Sequence, residues 1–307
     1  MRPLARTYDF LKPFCWAMAV CVVALLGWIF VEIVRQAWPA LQGVGLGKLV
    51  TDDWIPSRGQ FGLAAFLVGT AVSSLVALLF AFPLGVSMAI FLSEDFLPLP
   101  ARQVVRFTVE MLAAIPSVIY GLWGIFVIIP LVKSLGDWAA ATSLGKIPIF
   151  AGPSFGNSVL AASLVLALMI LPTITAISRS ALVAVPHTLR EGSYALGATR
   201  WETIFKVILP AASSGIVAAT ILALGRAMGE TMAVAMLIGN SPRLAASIFA
   251  PGGTLASLIA NQFGEARGMQ VSALMFAALL LVAFTLLVNA VGEYVLRRTQ
   301  HATKGVY

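Results

Sequence analysis

The chain has 307 residues, 60% of them hydrophobic and only 11% charged, against about 25% charged in an ordinary soluble domain. That composition excludes a water-soluble fold and predicts an all-α integral membrane protein, since a lipid-exposed segment must satisfy its own backbone. The formal net charge of +7 would suit nucleic acid only on a folded aqueous domain, and the sequence leaves no length for one, so no nucleic-acid partner is expected.

Charge-free runs divide the chain. Each offers about 20 apolar residues, enough to cross a ~30 Å hydrocarbon core. They predict six transmembrane helices, near 14–34, 64–92, 108–132, 157–178, 213–238 and 270–294. With the N-terminus inside, twelve Lys and Arg fall on the inner side and seven on the outer. The positive-inside rule then predicts an N-in, C-in topology. The first span is longer than a signal-peptide core and has no small-residue cleavage site, so it is expected to remain as an anchor in membrane lipid. Its Cys15 and Cys21 lie six apart on nearly opposite faces, which predicts unpaired, inert thiols. No chemistry is assigned to the outer loop 35–62. In span three, Pro116 is expected to kink the helix, with Ser117 near the freed backbone groups. His187 and His301 have no metal-ligand spacing and read as isolated cytoplasmic residues.

Between spans four and five, residues 185–210 read as helix, glycine turn, helix. Leu189 and Leu196 mark an apolar stripe, and Gly197 suits the left-handed position that ends the first helix. Thr199 and Glu202 form a capping-box pattern that starts the second. There Trp201, Ile204, Phe205 and Ile208 fall on one apolar face, and Pro210 is expected to bend the chain into span five. Periodicity allows two readings. The element lies on the inner membrane surface, or it docks in a groove of a cytoplasmic partner.

Span five holds the most informative residues. Arg226 and Glu230 interrupt an apolar run in which an ionisable side chain costs roughly 2.5–3.5 kcal/mol, so a solute pathway is the expected reason for them. On a continuous helix they would share a face about 40° apart, and a mid-membrane cation predicts that an anion passes. A closed Arg226–Glu230 pair at rest is expected, which an arriving anion would open. The competing reading is a structural ion pair between packed helices. Gly225 and Gly229 would admit a close partner helix. Thr231 would bond either a substrate oxygen or backbone. Beyond it, in the outer segment 240–268, Pro251–Thr254 reads as a turn and Thr254 as the cap of a short helix. No phosphate-binding glycine loop occurs, so any ATP must be hydrolysed by another chain.

Several of these motifs agree in order and spacing with a known family. Glu191-Gly192-Ser193, Gly197 and Leu209-Pro210 resemble the coupling loop of binding-protein-dependent ABC importer permeases, with Gly192, Ser193 and Val207 as conservative departures. Leu222–Val234 and Leu112–Gly121 resemble the corresponding segments of phosphate-specific permeases, and Thr231-Met232-Ala233-Val234 is closer to their C-type than their A-type subunit. The resemblance covers about 60–296 and implies a type I importer permease of the bacterial inner membrane. Its domains would be an N-terminal helix and outer loop (1–60), a permease domain (61–296) and a cytoplasmic tail (297–307). It implies a sister A-type permease, a cytoplasmic ATPase dimer that uses ATP and Mg, and an external phosphate-binding protein. The chain itself would bind no cofactor and no metal and catalyse nothing. Arg226, Glu230 and Thr231 would line the phosphate path; Glu191, Gly197, Leu209 and Pro210 would meet the ATPase. Another oxyanion, such as molybdate, sulfate or phosphonate, is the nearest alternative solute. A stand-alone channel or secondary transporter fits less well, because no internal repeat is seen.

Overall fold

The computed structural model describes residues 4–45, 47, 54–152, 154–243 and 246–304. In chain order its helices are α1 (Leu4–Gly43), α2 (Ala64–Ser93), α3 (Leu99–Ala114), α4 (Ser117–Phe126), α5 (Ile128–Ala141) and α6 (Val159–Val183). Then follow α7 (His187–Ala195), α8 (Arg200–Thr203), a π-turn (Ile204–Ile208), α9 (Leu209–Gly229), α10 (Met232–Leu237), α11 (Leu255–Gln262) and α12 (Met269–Lys304). Among the described residues, five helices are long and apolar enough to span a membrane, and the bent pair α3–α4 makes a sixth.

The core is built around α6, the most deeply enclosed span. Small residues bring α2 against it: Ala77 and Ala81 are fully buried beside Ala161, Leu166 and Ile170. At Gly85 a Cβ would lie 2.8 Å from the Ile174 side chain, and the Thr175 hydroxyl donates to the Gly85 carbonyl at 3.3 Å. In contrast, α1 is exposed along most of its apolar length, as a lipid-facing helix should be. It touches the body through Ala37 and Ala40, which join Ala273, Leu274 and Ala277 of α12 in a second cluster.

Span three kinks at Pro116 as expected, and sharply: the chain turns by 96° between α3 and α4. The residue before a proline avoids the helical region, and Ile115 is accordingly extended (φ −69, ψ 127). The freed Leu112 carbonyl accepts from the Tyr120 hydroxyl at 2.8 Å, the role anticipated for Ser117.

The end of the molecule opposite the 185–210 loop is packed rather than solvated. A two-stranded hairpin, β1 (Trp54–Ile55) and β2 (Gln60–Phe61), sets Trp54 and Phe61 against Phe66 and α11. The short helix expected after Pro251 is present. Thr254 and Ser257 form its capping box, and Leu255 N donates to Thr70 Oγ1 of α2 at 3.0 Å. Only glycine permits this approach, since a Cβ on Gly69 would fall 2.0 Å from the Gly253 carbonyl oxygen.

Candidate functional site

Arg226 and Glu230 do not share a helix. Helices α9 and α10 flank a break in which Glu230 is extended (φ −66, ψ 127), and among the described residues the two side chains form no ion pair. The expected closed pair is therefore corrected, and the reason lies in the helix ends. Arg226 occupies the last turn of α9, where carbonyl dipoles favour a cation. Glu230 precedes the first turn of α10, and its Oε1 accepts from Ala233 N at 3.5 Å. Each charge is thus matched to a helix terminus instead of to the other. Thr231 Oγ1 donates to the Gly229 carbonyl at 3.1 Å, so it satisfies backbone freed by the break. The break packs against α4, where Gly121 and Gly124 leave no room for a Cβ beside Met236 and Leu237.

Arg226 is exposed and reaches Thr173 Oγ1, near the middle of α6, at 3.4 Å. Both line a cavity of about 700 Å³ that continues along α12 past Thr285 and Asn289 to Glu293. Glu293 is paired with Arg297 at 2.6 Å. The walls are mostly apolar, with these few polar groups converging, the composition expected of a small-solute site. A guanidinium on a low-dielectric wall presents a permanent charge and a fork of donors suited to a tetrahedral oxyanion.

The α12 residues escape a reading that looks only for charges. Yet between Val271 and Gly292 only Ser272, Thr285 and Asn289 are polar. Thr285 and Asn289 lie one turn apart on a single face, a pattern that marks a polar stripe in an apolar helix. Thr173 offered no such signal, because its neighbours Thr175 and Ser178 serve the buried core of α6.

The 185–210 loop folds as helix, glycine turn, helix. Gly197 takes φ +82 with open space around it, and the Thr199–Glu202 capping box is complete. The single apolar face of the second helix splits in two. Ile204 and Ile208 are buried with Leu182, Val185 and Ala212, while Trp201 and Phe205 stack on each other outside. The split comes from the π-turn, which widens the helix just before Pro210. Leu209 N donates to the Ile204 carbonyl five residues back, and such a turn relieves the clash between a proline ring and the carbonyl four residues earlier. Pro210 does not interrupt the helix; Arg200–Gly229 runs as one helical segment of 30 residues. Leu209 packs partly against the buried face. Glu191 is exposed, and Leu196, at 90% exposure, is the most exposed large apolar side chain described.

Buried polar contacts fix α7 in place. Arg190 pairs with Glu94 of the α2–α3 turn and donates to the Leu182 carbonyl at 2.8 Å. Ser193 Oγ lies 2.9 Å from Thr203 Oγ1. The loop is therefore held to the membrane body at one face and offers Glu191, Leu196 and Gly197 on the other.

Residues 81–301 match the family described as the binding-protein-dependent transport system inner membrane component. The chain is 40% identical over 292 residues to the phosphate transport system permease protein PstC of Mesorhizobium japonicum, covering 94% of this chain and 89% of that one. It is 36% identical to a probable PstC of Methanocaldococcus jannaschii, over 97% and 96% of the two chains. Among solved structures it resembles a bacterial alginate ABC transporter in complex with its pentasaccharide-bound periplasmic protein (TM-score 0.62, 17% identity, 95% of this chain and 98% of that one). It also resembles the inward-facing MetNI methionine transporter (TM-score 0.59, 23% identity, 77% and 95%). These likenesses establish the same permease fold. The chain belongs to the inner-membrane component family of binding-protein-dependent transport systems.

Proposed function

We propose that this chain is the C-type permease half of an ATP-driven importer of inorganic phosphate in a bacterial inner membrane, oriented N-in and C-in. The observation that carries the proposal is Arg226, set at a mid-span helix break on the wall of the α9–α12 cavity with no carboxylate partner among the described residues. A fixed cation there lowers the cost of a hydrated dianion in the membrane, and Thr173 and Asn289 add neutral polar groups beside it. The guanidinium alone fits any tetrahedral oxyanion; 40% identity to permeases named for phosphate selects phosphate. Glu230 serves as the anchor of α10 and Thr231 as a backbone partner, so Arg226 carries the solute contact.

In this reading a sister A-type permease supplies the other half of the path, and an external phosphate-binding protein delivers the solute. A cytoplasmic ATPase dimer hydrolyses MgATP and receives Glu191, Leu196 and Gly197. Leu209 and Pro210 link that contact to the helix bearing Arg226, about 24 Å further along its axis.

The test is ATP- and binding-protein-dependent uptake of labelled phosphate by the reconstituted complex. Losing a charge-assisted hydrogen bond is worth roughly 1.5–3 kcal/mol, so Arg226→Gln should cut uptake at least about tenfold. Glu230→Gln keeps an acceptor for Ala233 N and should stay within a few-fold of wild type. Near-normal uptake by Arg226→Gln would refute the assignment.

A further inference from the structure

A second cavity, of about 710 Å³, lies at the loop end of the molecule, apart from the proposed path. It is enclosed by the α2–α3 turn, the start of α3, the end of α6 and the base of α7. Its charged lining comprises four arginines, Arg102, Arg179, Arg190 and Arg200, and two carboxylates, Glu94 and Asp95. Each carboxylate is already committed: Glu94 to Arg190 and Asp95 to Arg102. Hydrogen bonding from Arg102, and then its charge, hold the Asp95 carboxyl below the ordinary carboxylate range.

Two formal positive charges are left over. Arg179 makes one long contact, from Nε to the Leu92 carbonyl at 3.5 Å, and Arg200 lies 3.9 Å over the Phe96 ring. Neither forms an ion pair among the described residues, although Asp95 lies within electrostatic range of Arg200 and Glu110 of Arg179. In addition, Nε of Arg102 and Nε of Arg190 are buried without any acceptor. Buried donors without partners are uncommon in folded proteins and cost about 1–3 kcal/mol each. Packing does not explain this arrangement, because guanidiniums crowded around a space repel one another. An oxyanion of two charges would neutralise the excess and supply acceptors.

We propose that this cavity binds a phosphate group, and that the bound group fastens α7 to the α2–α3 turn. Free phosphate and the phosphate of an anionic phospholipid headgroup present the same oxygens, and basic pockets between the inner ends of membrane helices bind such headgroups. The site is independent of the transported solute, since neither Arg226 nor α12 takes part. An occupied cavity would hold the partner-facing loop in one position, so phosphate on this side would regulate coupling without entering the path.

The test uses the assembled complex carrying Arg226→Gln, which silences the path cation, in phosphatidylcholine nanodiscs. Amide exchange of residues 187–196 is followed while inorganic phosphate is added. Protection should rise about tenfold at saturation, and Arg179→Gln should move the midpoint at least about tenfold higher. Arg179→Lys, which keeps the charge, should recover much of that shift. Lys206→Gln removes a cation of the same loop that pairs with Glu202 outside the cavity and should leave the midpoint in place. In a second arm, phosphatidylglycerol replaces phosphatidylcholine without added phosphate; Arg179-dependent protection there identifies the headgroup as occupant. The proposal is overturned if neither phosphate source protects α7. It is equally overturned if Lys206→Gln acts as strongly as Arg179→Gln, or if Arg179→Gln changes nothing.

Discussion

Replacing Glu94 by Gln tests whether a single buried ion pair holds the partner-facing loop to the membrane body. Helix α7 has nine residues and buries none of them fully, and isolated helices shorter than about 12–15 residues are marginal in water. Its attachment therefore rests on Arg190, whose side chain is 14% exposed against 8% for Glu94. Removing one partner of a buried pair costs about 3–5 kcal/mol, because the remaining charge stays desolvated. The lower end applies, since Arg190 keeps its bond to the Leu182 carbonyl. About 3 kcal/mol corresponds to roughly a hundredfold rise in the detached population of α7. Amide exchange over residues 187–196 of the purified complex should accelerate by that factor while α6 is unaffected. The double variant Glu94→Leu/Arg190→Met should recover at least half of the loss, because an apolar pair of similar volume replaces a buried ion pair at little cost. Unchanged exchange in Glu94→Gln would show that Leu189 and Ser193 suffice and that the reasoning about the pair is wrong.

Three further outcomes are expected. Gly69→Ala places a methyl against a backbone oxygen that no rotamer can move, so overpacking should cost about 3 kcal/mol or more, seen as a lower melting temperature of the detergent-solubilised complex. Leu196→Asp alters a side chain with almost no contacts, so stability should change by less than about 0.5 kcal/mol; copurification of the ATPase should nevertheless be lost. Asn289→Leu removes a polar group from the cavity wall, and it should lower phosphate uptake several-fold with the complex intact, as measured in proteoliposomes.

Much of the fold is written in the spacing of charges. Helices α2, α6 and α12 follow apolar runs whose length alone suffices, and the Thr199–Glu202 and Thr254 caps are local patterns that nothing in the tertiary structure opposes. The misreadings occur where a helical pattern continues through a break. Pro116 announces a disturbance, but a 96° turn depends on α4 finding α10 to pack against, with Gly121 and Gly124 making room. The separation of Arg226 from Glu230 is harder still to foresee. Gly229 is a weak helix former, yet nothing in Met228–Met232 forbids a helix, and the break is set by two helix ends that each suit one charge. Trp201 and Phe205 seemed to belong with Ile204 and Ile208 because period 3.6 assumes a regular helix, and the π-turn changes that count. Thr173 contributes to the cavity only because α6 happens to pass Arg226, a long-range fact that no local pattern encodes.

The uninterrupted helical segment from Arg200 to Gly229 has the form of a lever arm. The π-turn at Ile204–Ile208 lies near its base, and from Lys206 to Arg226 the arm measures about 30 Å at 1.5 Å per residue. A tilt of about 10° at the π-turn would swing the guanidinium by roughly 5 Å, well over the reach of one hydrogen bond. Such a swing would carry Arg226 from contact with Thr173 to none. A small angular input at the loop thereby becomes an all-or-none change in what the cavity offers an anion, with no charge having to change its protonation.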